Sequence, residues 1–146
     1  MTPARALALA ALAALAGCDD DASPDTPAPR SEALAGAEAT GAALTVRIEQ
    51  ATPDPPIRSD RNTWRLRVLD ADGAPLDGCA IEVEPTMPAH GHGTTPAPTV
   101  TAVDGEPGLY EARPLNLFMP GEWHIAVRPT CGSATDEIVF VVPIQS

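Results

Sequence analysis

Downstream of about residue 41, no stretch of this chain holds the apolar spacing of a helix. It consists instead of short runs that alternate apolar and polar residues, each stopped by Gly, Pro or Asp. That rhythm constrains the fold more than any other feature, because a period of two buries one face of a strand and leaves the other wet. Seven such runs are legible: 44–48, 64–68, 79–84, 100–103, 109–113, 123–128 and 137–142. Trp64-Arg65-Leu66-Arg67-Val68 alternates most cleanly, and Ile81 and Val83 are the inward pair of the third run. The seventh run is apolar on both faces, as a well-covered strand would be. The 17 prolines and 11 glycines supply the stops. Seven strands at this spacing predict an all-β, immunoglobulin-like antiparallel sandwich, with an open barrel as the alternative.

The first 41 residues read differently. Met1-Thr2-Pro3-Ala4-Arg5 carries one positive charge and is followed by an apolar run over 6–16. That run falls well short of the roughly 20 residues a membrane-spanning helix needs. Leu15-Ala16-Gly17-Cys18 then sets small residues directly before a cysteine. This is the pattern of a bacterial lipoprotein signal: residues 1–17 are cleaved and Cys18 becomes the lipidated first residue. The alternative is an ordinary secretory signal with an incidental cysteine. Residues 18–41 are rich in Pro, Ala and Asp, lack aromatic residues, and cannot bury enough surface to offset their ordering entropy. They are expected to be a disordered tether, and the folded domain is expected to occupy 42–146. The expected location is the cell envelope, on the periplasmic or outer side of a bacterial membrane.

Charge narrows the partners. The formal net charge is −11, and all nine basic residues are arginines. A basic patch for nucleic acid is not expected, and contact with the membrane should run through the lipid itself. With Cys18 assigned to lipid, Cys79 and Cys131 remain, and outside the cytoplasm they are expected to pair. The sandwich supports this. Its third and sixth strands are antiparallel neighbours, which sets Cys79 beside Cys131 at one end and the segment after the third strand beside the start of the sixth at the other.

That second end carries the scarce chemistry. Met87-Pro88-Ala89-His90-Gly91-His92-Gly93 holds two of the chain's three histidines and one of its three methionines. In extended backbone, His90 and His92 point the same way, and Gly91 and Gly93 permit a tight loop. Met87 offers a thioether, and His124 and Met119 arrive from elsewhere in the chain. Imidazole with thioether suits copper first and zinc second. The competing reading makes the loop a contact surface for an envelope protein. It leaves Met119 in the core after Leu115 and Leu117, and pairs His124 with Glu84. Enzyme activity is not expected: there is no nucleophile elbow and no phosphate-binding glycine loop, and Glu82, Glu84, Glu106 and Glu122 read as solvated positions. Trp64 and Trp123 read as core.

From about Leu44 to Pro143 the chain resembles the YtkA-like domain, which is also grouped with FixH-like proteins. The residues carrying the resemblance are Asn62-Thr63-Trp64, Asp72-Gly73-Ala74-Pro75-Leu76, Met87-Pro88-Ala89-His90-Gly91-His92, Gly108-Leu109-Tyr110 and Met119-Pro120-Gly121-Glu122-Trp123. The resemblance implies a small extracytoplasmic, membrane-attached β-sandwich without enzyme activity, of a kind discussed near copper handling and terminal-oxidase assembly. This chain carries a lipid-anchor pattern where FixH proper has a transmembrane helix. The combined expectation is a membrane-anchored binding module that binds or delivers copper through Met87, His90, His92 and His124. The alternative is a structural or protein-interaction domain that binds no metal.

Overall fold

A computed structural model describes residues 32–146. In chain order the strands are β1 (Glu38–Thr40), β2 (Thr45–Thr52), β3 (Asn62–Leu69), β4 (Ala80–Met87), β5 (His92–Gly93), β6 (Thr99–Ala102), β7 (Leu109–Leu115), β8 (Gly121–Cys131), β9 (Ala134–Thr135) and β10 (Ile138–Ile144). Each of the seven runs read from alternation corresponds to one of the longer strands. The three additions, β1, β5 and β9, have only two or three residues each, too few to show a period.

Two antiparallel sheets result. One has the order β1-β2-β3-β7-β6; the other has the order β10-β8-β4-β5, with β9 on β8. Setting aside the three short strands, this is the four-plus-three order of an immunoglobulin constant-type sandwich. Alternation explains the core. On β3, Trp64, Leu66 and Val68 are buried while Thr63, Arg65 and Arg67 face outward. Trp123, Ile125 and Val127 of β8 do the same from the opposite sheet. Burying each such aliphatic side chain stabilises by roughly 1.5–3 kcal/mol.

Three expectations change here. The fold starts before residue 42: Glu38 pairs with Arg47 and Thr40 with Thr45, and Leu34, Ala37 and Ala39 pack against the core. The Asp54 carboxylate also accepts the backbone N–H groups of Leu34 and Ala35, at 2.7 and 3.1 Å. Strand pairing and this carboxylate hold a segment whose small side chains carry little signal. The signal segment, Cys18 and the tether up to residue 31 lie outside the described residues. Second, β10 is an edge strand and is not covered on both faces. Ile138, Phe140, Val142 and Ile144 point inward, but Val139 and Val141 are 42% and 53% exposed. Third, the sixth run extends beyond 123–128 at both ends, so that Cys131 is the last residue of β8.

The β4–β8 pairing runs from Ala80 opposite Thr130 to Thr86 opposite His124. Cys79 and Cys131 are disulfide-bonded just beyond the first pair, with Cα atoms 4.4 Å apart. The MPAHGHG segment leaves β4 at the opposite end. The third and sixth runs are therefore antiparallel neighbours along their whole length, as expected at both ends.

Candidate functional site

At the far end of β4, Met87 completes an inward series with Val83 and Pro85. It is only 1% exposed and belongs to the core. Its Cε lies 2.8 Å from where a Cβ on Gly121 would sit, and Gly121 has φ +127°. The positive φ is what calls for glycine there, since the Met87 methyl is the end of a flexible side chain and can give way. A thioether ligand at Met87 was expected; the structure corrects this, because alternation along β4 turns the side chain into the sandwich.

Pro88–His90 then forms a single 3₁₀ turn, closed by Gly91 in the left-handed conformation at φ 66°, ψ 27°. The Gly91 N–H bonds back to the Met87 carbonyl at 3.0 Å. The two histidines are therefore not successive same-face positions of one strand, as extended backbone would have made them. The turn brings them together instead, with ring centroids 5.8 Å apart. Gly93 serves strand pairing: a Cβ there would meet the Pro85 carbonyl oxygen at 2.8 Å.

His92 pairs with Met87 across the β4–β5 ladder, so its ring lies on the inner face. It stacks on Phe118 at 5.5 Å and meets Trp123 edge-on at 6.2 Å. Phe118 touches Trp123 in turn, at 5.6 Å. The His92 Nδ1–H donates a long bond to the Gly93 carbonyl at 3.4 Å. That leaves Nε2 as the nitrogen open to a ligand, the arrangement of an imidazole whose other nitrogen is held by an oxygen. His90 is exposed on the rim.

His124 does not join them. It sits between the inward Trp123 and Ile125, so its side chain lies on the outer face of the sheet, opposite the His92 ring. It is paired with Glu122 at 2.9 Å. This corrects both expectations for it, since Glu84 is taken by Arg128 at 2.8 Å. Met119 is half-buried against the core, and its carbonyl accepts the Trp123 indole N–H at 2.9 Å. Among the described residues, no three His, Cys, Asp or Glu side chains are grouped to hold a metal ion. The pole offers two imidazoles and open solvent.

Sequence reasoning passed over Phe118. With Leu115 and Leu117 buried, alternation alone would have turned it outward, and it is 45% exposed.

The remaining motifs are explained by packing. Asn62 is buried, with its amide donating to the carbonyls of Ile57, Ser59 and Leu115. A Cβ on Gly108 would meet Pro75, Leu76 and Val68 within 2.9 Å. The Tyr110 hydroxyl donates to the Leu76 carbonyl and accepts the Cys79 N–H. The turn at 72–76 and the segment 108–110 therefore form one junction. Packing does not account for every motif side chain: His90, Asp72 and Glu122 are exposed, while His92 is half-buried against Phe118 and Trp123.

The family model described as YtkA-like matches residues 39–128, from within β1 to within β8. No curated protein and no solved structure matches the chain.

Proposed function

We propose that this chain, which belongs to the YtkA-like family, is an extracytoplasmic binding module. In this reading it is lipid-anchored at Cys18 and takes up copper as cargo through His90 and His92. The observation that carries the reading is the placement of those two rings, 5.8 Å apart at the pole of the sandwich where β4 ends. The affinity order of divalent ions puts copper ahead of zinc at a pair of imidazoles. With Met87 in the core, the donor set no longer favours the cuprous ion specifically.

Two imidazoles fall short of the four ligands of a closed structural site. Such a set suits an ion that is accepted from one partner and passed to another, with the missing ligands coming from solvent or from that partner. Phe118 and Trp123 hold the His92 ring in place, which lowers the ordering cost of binding. No catalytic step belongs to this reading.

Titration of the purified protein with Cu(I) and Cu(II) separately tests it. One ion per chain is expected, with at least a ten-fold loss of affinity in the His90→Ala/His92→Ala variant, which should remain folded by circular dichroism. Undiminished affinity in that variant would refute the site and leave the loop as a contact surface for an envelope protein.

A further inference from the structure

On the outer face of the first sheet, strand register assembles two rows of side chains. Thr101, Glu111 and Arg65 are successive partners across β6, β7 and β3; Thr99 and Arg113 are partners in the next row, and Thr63 pairs with Thr52 of β2. A groove of about 450 Å³ lies here, lined by Arg61, Thr63, Thr99, Thr101, Arg113 and Pro114. A second hollow of about 230 Å³ adjoins it and shares Thr63 and Arg113. The larger groove is within the size range of small-ligand sites.

Its chemistry has one sign. Two guanidiniums and three hydroxyls line it, and no carboxylate does. Arg65 and Arg113 share a single carboxylate, Glu111, at 3.3 and 3.2 Å. Arg61 has no carboxylate partner among the described residues. The chain has 20 acidic residues against nine arginines, so acids are in excess, yet three arginines here face one acid.

The geometry points to a phosphate-binding groove on this face. A carboxylate is planar and satisfied by one arginine fork. Here the donors come from three places, Arg61 ahead of β3, Arg113 on β7 and the threonines of β6, which suits the divergent oxygens of a tetrahedral anion. Arginine is the residue that recognises such groups through paired N–H donors. The phosphate is free in solution or is carried on a lipid headgroup.

The test titrates the full chain with sodium phosphate at constant ionic strength and follows the arginine Nε–H resonances by NMR. Saturable shifts at Arg61 and Arg113, with none at Arg128 on the other sheet, are expected. Arg61→Gln/Arg113→Gln should raise Kd at least ten-fold without lowering the melting temperature, since both side chains are exposed. A soluble short-chain phosphatidylglycerol binding more tightly than phosphate identifies a lipid headgroup as the source; equal binding identifies the free anion. Equal shifts with sodium chloride, acetate binding as tightly as phosphate, or undiminished binding in the double variant would overturn the assignment.

Discussion

Met87 sits where two demands meet: it ends a buried strand face and opens the histidine loop. Because its thioether fills space under Gly121, shape should matter at this position and sulfur should not. Met87→Leu is expected to keep copper affinity and stoichiometry. Met87→Ala should lower unfolding free energy by about 2–5 kcal/mol, the range for large-to-small core changes, as read by urea denaturation. His124→Ala is expected to leave copper affinity unchanged, because that ring faces the other side of the sheet beside Glu122. A ten-fold loss in either Met87→Leu or His124→Ala would restore the larger ligand set. The residue-scale lesson concerns period. Composition located the histidine cluster and alternation placed Trp123 inward. But His90 and His92 converge through a left-handed Gly91, and a two-residue period cannot foresee a turn of that kind. Met87 and Met119 look alike in composition, but Met87 ends the inward face of β4 whereas Met119 lies in the connection from β7 to β8 and is only half-buried.

Between elements, the most informative contact is Asp136, in the connection from β9 to β10. Its carboxylate accepts the N–H groups of Ala42, Ala43 and Leu44, at 2.9, 2.8 and 2.7 Å, and so ties the β1–β2 hairpin of one sheet to the last hairpin of the other. Gly41 makes room for it: a Cβ there would lie 2.5 Å from the carboxyl carbon. The Ala43, Ala42 and Leu44 N–H groups hold the Asp136 pKa below its ordinary value. A depressed folded-state pKa stabilises the fold above the unfolded value of about 3.9, and that contribution is lost as pH falls through the lower folded value. Asp136→Asn should therefore be less stable than wild type at pH 7. The gap should close as the pH drops below about 4, in paired thermal melts across pH 2–7. A gap that stays constant with pH would mean that the charge contributes nothing. Neither this staple nor the early start of the sheet was legible in the sequence. Both depend on one carboxylate meeting backbone N–H groups distant in the chain, Asp136 with 42–44 and Asp54 with 34–35. The seven main strands were legible because each carries its own period.

At the scale of the molecule, the disulfide and the histidine pole occupy opposite ends of the same two strands. Cys79 and Cys131 lie 52 residues apart in sequence, and the loop they close contains β6 and β7 of the other sheet. Cross-linking that loop restrains the unfolded chain more than it shapes the native one. Removing it should thus cost global stability without altering local geometry at the far end. Six residue pairs of the β4–β8 ladder stand between the bridge and the pair that holds His124, and the pole has its own supports in Met87, Phe118 and Trp123. Cys79→Ala/Cys131→Ala is expected to lose about 2–5 kcal/mol of unfolding free energy, and to bind copper at 25 °C with affinity within two-fold of wild type. Alanine variants are preferable to chemical reduction here, because freed thiols are themselves soft copper ligands and would add a second site. If the alanine variant lost copper binding while remaining folded, the pole would depend on strain or dynamics transmitted along β4. The view of two independent ends joined by one rigid strand pair would then fail.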